Sequence, residues 1–187
     1  MKTRLHAHPR PLTDRVSQFM ALGGVILLLI SIPFQIFLGL AGGGLFFMSA
    51  FFSGLMIFPL LMATVITPAI QVDGDGLTLM PIIWKHHTVA WSDIRAVKHY
   101  PLLPPADAEV TRKIAIGKAK YAPANGIMLV IPSLPWMYRI GGFFAGEKRQ
   151  PIIAITNRAH SRYDELVYAI LERTDPTIHA DDIKQAK

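Results

Sequence analysis

The sequence predicts a mixed α+β membrane protein: a two-helix transmembrane hairpin, then a small antiparallel β domain closed by a C-terminal helix. Three observations predict it. Residues 16–72 contain no Asp, Glu, Lys or Arg, although 17% of the 187-residue chain is charged. Short β-prone runs separated by turn residues follow, out to residue 156. Beyond them the apolar period changes from that of a strand to that of a helix.

Residues 1–15 carry Lys2, Arg4, Arg10 and Arg15 against Asp14 alone. They read as a basic tail, with His6 and His8 inside it. The uncharged stretch within 16–69 divides at AGGG, residues 41–44, into spans over 19–40 and 45–66. At about 1.5 Å per residue each span is roughly 33 Å long, against a hydrocarbon core of about 30 Å. A protein this small has too little interior to hide the whole segment, whereas a bilayer can. The first span exceeds the apolar core of about 7–15 residues usual in a signal peptide, so it reads as an uncleaved anchor. Gly42, Gly43 and Gly44 give the chain freedom to reverse. Positive residues stay on the cytoplasmic side, which places both termini there.

Small residues let membrane helices approach closely. Gly39 and Gly43, Ser49 and Ser53, and Ala50 and Gly54 are each four apart, and they read as packing faces. The alternative is that small residues are simply common in such helices. An amide at Gln35 needs a hydrogen-bond partner in lipid. Neither span holds an ionisable side chain, which argues against a pump, a charged filter or haem ligation. The absence of cysteine is compatible with a reducing compartment. The net charge of +6 suits an anionic leaflet and is too scattered to predict nucleic-acid binding.

Within residues 70–175, VDGDG at 72–76 reads as a turn. Strands are expected over 77–80, 82–90, 95–102, 113–119, 126–131 and 151–156, with Trp91, Ser92 and Asp93 breaking the run as a turn. Tyr163, Leu166, Val167, Ile170 and Leu171 then recur at i, i+3, i+4, i+7 and i+8, one apolar helix face. Ser161 stands as its N-cap, Asp164 and Glu165 occupy its first turn, and Pro176 stops it. Residues 176–187 are a C-terminal tail.

The run VDGDGLTLMP through TVAWSDIRAV, then GIMLVI, PIIAITN and SRYDELVYAIL, resembles the bacterial pleckstrin-homology-like (PH-like) domains. Many of those follow a two-helix membrane hairpin. The landmarks are Asp75-Gly76-Leu77, Val89-Ala90-Trp91-Ser92-Asp93-Ile94 and Gly126-Ile127. The resemblance implies a PH-like β-sandwich or barrel of two roughly orthogonal sheets, capped by the C-terminal helix, on the cytoplasmic face of a bacterial inner membrane. It implies no reaction, because one fold serves many purposes. Residues 132–150 depart from it, being longer and more aromatic than a simple hairpin turn.

Trp91 and Asp93 read as structural, an indole in the core and a carboxylate capping a turn. Arg112, Lys113, Lys118 and Lys120 fall on an expected strand, with Arg112, Lys118 and Lys120 on one face. They read as a solvated sheet edge, or as a contact to anionic headgroups. The turn at 73–76, where phosphoinositide-binding relatives carry cations, is acidic here. Trp136, Tyr138, Arg139, Phe143 and Phe144, followed by Lys148 and Arg149, mix aromatics with cations. They read as an interfacial loop, a partner contact, or side chains packed under their own loop.

Adjacent strand residues His86 and His87 point to opposite faces and cannot chelate one ion. No HExxH, CxxC, GxSxG or P-loop pattern occurs. No catalytic, cofactor or metal residues are expected. The function expected is non-catalytic: a domain that docks another membrane protein as an accessory or scaffold subunit, with self-association open. The alternative is a sensor of anionic lipids through the basic strand. A membrane-surface enzyme is the least supported.

Overall fold

The computed structural model describes residues 4–6 and 16–180, with backbone only at 4–6, 16, 17, 116 and 118. Its elements are β1 (Arg4–His6), α1 (Val16–Leu40), α2 (Gly44–Ala63), β2 (Ala69–Val72), β3 (Gly76–Met80), β4 (His87–Ala90), β5 (Ala96–His99), α3 (Val110–Ile116), β6 (Gly126–Val130), α4 (Tyr138–Phe144), β7 (Ile152–Thr156) and α5 (Tyr163–Arg173). Short 3-10 turns lie at Trp91–Asp93, Lys118–Lys120 and Pro176–Ile178.

Helices α1 and α2 are long and apolar enough to cross a membrane. They pack side by side as a hairpin, and Gly42 reverses the chain at φ +118, a conformation that a side chain would strain. The inward face of α1 repeats at about 3.5 residues: Ala21, Val25, Leu28, Ile32, Gln35 and Gly39 are buried or half-buried. Opposite them, Ala50, Ser53, Ile57 and Leu60 are half-buried on α2. Gly39 lies under the Phe47 ring, where an added Cβ would stand 2.9 Å from it. Gly43 lies similarly against Phe46. The Gln35 amide donates to Ser53 Oγ at 3.3 Å and to Ser31 Oγ at 3.2 Å, so it finds its partners inside the hairpin. Two expected packing residues do not pack. Ser49 is exposed, and Gly54 has open space around it. The 3.5-residue repeat passes through positions 50, 53 and 57 and leaves 49 and 54 on the outer face.

Helix α2 ends at Ala63, earlier than the expected residue 66. The Thr64 hydroxyl donates to Leu61 O at 2.7 Å, and Val65 is fully buried in the core of the β domain. Four antiparallel strands pair in the order β1-β2-β3-β4, and three in the order β5-β6-β7. Strand β1 comes from the N-terminal segment that reads as a tail. It pairs across the whole hairpin with β2, Leu5 opposite Gln71.

Residues 113–119 are not a strand. Val110–Ile116 is helical, and Gly117, at φ +81, ends it. The β-branched Ile114 and Ile116 mimic strand alternation, but the three-stranded sheet offers them no edge. Beyond β5, Ala180 N–H donates to Val97 O; beyond β7, Ala154 N–H donates to Ile66 O at 2.8 Å.

The main core lies between the sheets and α5, and includes Ile70, Leu77, Leu79, Val89, Val97, Leu129, Ile153, Ile155, Leu166 and Ile170. Strands β6 and β7 are buried along both faces. Their second face, with Met128, Val130, Ile152 and Ala154, packs with Tyr100, Ala145 and Ile66. Residues 65 and 66 therefore put one side chain into each cluster. Helix α5 presents Tyr163, Leu166 and Ile170 inward, as its period predicts. Its N-cap position is Arg162 at φ 52, not Ser161, and Arg162 pairs with Glu165.

Candidate functional site

The residues between α2 and β2 are bonded into the domain almost one by one. Trp84 Nε1 donates to Thr64 Oγ1 at 3.2 Å, and Gln18 Nε2 to Thr67 Oγ1 at 3.5 Å. The fully folded-in His160 takes the Thr156 N–H on Nδ1, which leaves its proton on Nε2 to donate to Pro68 O at 2.8 Å. Chain leaving the hairpin thus has its polar groups satisfied at the point where it enters the domain.

Helix α4 lies beside this exit. Two glycines seat it. A Cβ on Gly141 would meet Ile66 and Ile152 side chains at 3.3 Å, and one on Gly142 would run into the Gln150 carbonyl. The inward side is completed by Tyr138, which is fully buried. The expected loop contact at Tyr138 is therefore corrected: its ring meets His87 edge-on at 6.0 Å, and burial pushes its phenol up to about 12. The outward side keeps the other predicted residues. Trp136, Arg139 and Phe143 stand at i, i+3 and i+7, and Phe144 lies next to them. Trp136, Phe143 and Phe144 are each more than 60% exposed. Across the exit, Ile82 and Ile83 are also exposed, next to Trp84.

Beside Arg139 the chain returns from α4 through Lys148, which is held at φ 56, and Arg149. Arg139, Lys148 and Arg149 line an open cleft of about 550 Å³ with Gln150 and two prolines. A second cleft of about 470 Å³ shares Lys148 and Gln150. It contains Lys98, whose Nζ is 2.7 Å from Glu147 Oε1.

The basic run does not form the expected face. Arg112 and Lys113 are on α3, Lys120 is exposed in the following turn, and Lys118 is described only by its backbone. Lys113 Nζ sits 4.9 Å from the centre of the Tyr121 ring. Next to it Glu109 accepts Arg158 Nε at 2.8 Å and Tyr121 OH at 2.7 Å. Glu109 is thus paired with Arg158 from outside the run, and Arg112 of the run adds to its field. The Arg158 hydrogen bond, with help from Tyr121, holds the Glu109 carboxyl below its usual value. That stability is fully present above the ordinary carboxylate range and is lost as pH falls through the lowered value. Glu109→Gln is expected to cost about 1–2 kcal/mol near neutral pH and to flatten the acid limb of a stability–pH curve. An unchanged acid limb would show that the pair contributes nothing.

Trp91 is half-buried rather than central. Its Nε1 donates to Gly74 O at 2.9 Å, bracing the turn at 73–76, and Arg173 lies 5.6 Å over its ring. Asp93 is exposed and takes only a long 3.5 Å bond from Ser133 Oγ. Asp73 holds the turn instead, accepting from Gln71 and Thr78. Among the described residues no three His, Asp or Glu side chains converge to hold a metal ion.

No protein-family model matches this chain, and no curated protein or solved structure is significantly similar to it.

Proposed function

We propose that the chain is an integral membrane protein whose hairpin crosses a bilayer and holds a non-catalytic PH-like domain against its cytoplasmic face. There it serves as an accessory or scaffold subunit of a bacterial inner-membrane complex. The observation that carries this is the outer surface of the hairpin. Ile26, Leu27, Leu29, Ile30, Phe34, Phe37, Phe51, Phe52, Leu55 and Met56 are all exposed on helices with no charge. Apolar patches above a few hundred Å² mark a surface that something else covers. A hydrocarbon solvent covers it on all sides, and a helix is a structure that can bond its backbone groups internally there. The PH-like assignment is supported by a four-stranded and a three-stranded antiparallel sheet followed by one helix that buries its apolar face between them. The docking role is supported by what the domain presents: an exposed aromatic and cationic surface at α4.

Because the chain has no cysteine, single substitutions report position cleanly. With Leu45→Cys at the start of α2, beside the turn, and Lys120→Cys in the domain, an impermeant maleimide is expected to label the two from opposite faces of sealed vesicles. Labelling of both from one face, or a chain that leaves the membrane in alkaline carbonate, overturns the anchoring. Mild detergent extraction from native membranes is expected to bring a second membrane protein with the chain. Recovery as a partner-free, monodisperse monomer would count against the docking role.

A further inference from the structure

We infer that the cleft between α4 and the 148–149 turn binds the phosphate of an anionic lipid headgroup, with the aromatic stripe of α4 set into the interface beside it. The inference rests on the hairpin being in a bilayer and goes beyond it by assigning a ligand and the residues that take it.

Depth comes first. Ile66 is three residues beyond the last residue of α2, and three residues reach at most about 10 Å. Gly141 packs on Ile66, so α4 lies within about that distance of the end of the span. The headgroup layer on each side of the hydrocarbon is roughly 5–8 Å thick. Helix α4 is therefore held close to the end of the span, near the headgroup layer, by a contact of its own.

Chemistry comes second. Arg139, Lys148 and Arg149 meet at one cleft although Arg139 is distant from the other two in sequence. None of the three forms an ion pair with another described residue, unlike Lys98, Arg158 and Arg162. Two guanidinium groups and an ammonium match the oxygens of a phosphate. Of the α3 cations, by contrast, Lys113 sits over the Tyr121 ring and Arg112 adds to the field at Glu109.

The source of the phosphate follows from the neighbours. Arg139 shares a helix face with Phe143, Phe144 adjoins it, Trp136 lies in the turn just before the helix, and all three aromatics are exposed. A soluble phosphate has nothing for those rings to touch. A lipid has acyl and glycerol groups immediately below its phosphate, at the level where Trp is favoured. The cleft and the stripe together fit a headgroup approached from the bilayer side.

The test uses the full chain reconstituted into bilayers of mixed phosphatidylglycerol and phosphatidylcholine. Lipid carried with the protein into detergent is counted by native mass spectrometry. Each cation near an anionic surface contributes about fivefold. The wild-type chain is expected to retain phosphatidylglycerol preferentially, and the triple variant R139Q/K148Q/R149Q to lose about tenfold or more of that preference. The control K113Q/K120Q removes charge from the α3 region and is expected to leave the preference intact.

An unchanged preference in the triple variant, or an equal loss in the control, overturns the assignment. Displacement of bound phosphatidylglycerol by millimolar inorganic phosphate would overturn the lipid as the source. A chain that never integrates overturns the anchoring and the headgroup site together. An integrated chain without the preference overturns the headgroup site alone.

Discussion

Arginine at both Ile30 and Leu55 is expected to keep the chain out of a bilayer. The two positions lie near the middle of α1 and α2, and they are 68% and 55% exposed. Each arginine near the centre of a span costs about 2.5–3.5 kcal/mol for insertion, so the pair opposes it by about 5–7 kcal/mol. If the hairpin stood in water, the same changes would be nearly neutral, within about 0.5 kcal/mol, because exposed surface positions tolerate charge. The two environments therefore predict opposite outcomes from one variant. The measurement is the fraction of Ile30→Arg/Leu55→Arg chain recovered in alkali-washed membranes. Full recovery, or a better-behaved soluble monomer, would sink the membrane assignment.

Gly142→Ala is expected to destabilise the β domain by about 1–3 kcal/mol, the usual cost of forcing an atom into a filled interior. The added Cβ would meet the backbone carbonyl of Gln150, and backbone cannot turn aside as a side chain can. Helix α4 would lift from β7 and carry Arg139 away from Lys148 and Arg149. Two neighbouring substitutions calibrate the effect. Gly141→Ala meets only the side-chain ends of Ile66 and Ile152 and should cost less. Gly54→Ala meets nothing and should be neutral or stabilising by about 0.5–1 kcal/mol, since alanine favours a helix over glycine. Denaturant unfolding of the detergent-solubilised chain, followed by tryptophan fluorescence, measures all three. A Gly142→Ala chain as stable as wild type would show that α4 is not seated as described.

The hairpin and α5 were legible because their information is local. An uncharged stretch of span length and a 3.6-residue apolar period are both written in consecutive residues. Strands β3 to β7 were legible for the same reason, with β5 and β4 shorter than their β-prone runs. What failed depended on distant partners. Strand β1 is three residues long, too short to show a period, and it exists only because β2 offers an edge. Helix α4 has two glycines in seven residues, a composition that disfavours a helix in isolation. Its seat on Ile66, Ile152 and Gln150 overrides that preference.

The site was half legible. Trp136, Arg139, Phe143, Phe144, Lys148 and Arg149 stand out as a mixture of aromatics and cations. That Tyr138 turns inward follows from the helix period, once α4 is known to be a helix. The basic run misled because its charge is conspicuous in sequence, while Arg158, which pairs with Glu109 just before α3, is brought in by folding.

The pairing of Leu5 with Gln71 has a consequence for biogenesis. During synthesis β1 precedes both helices of the hairpin and has no partner until β2 follows them. The four-stranded sheet can close only if β1 and β2 meet at the same end of the hairpin. On the proposed anchoring, a hairpin with one span left out of the bilayer separates β1 from β2 and leaves β2 with an unpaired edge. On that anchoring, completion of the sheet requires both helices to cross together.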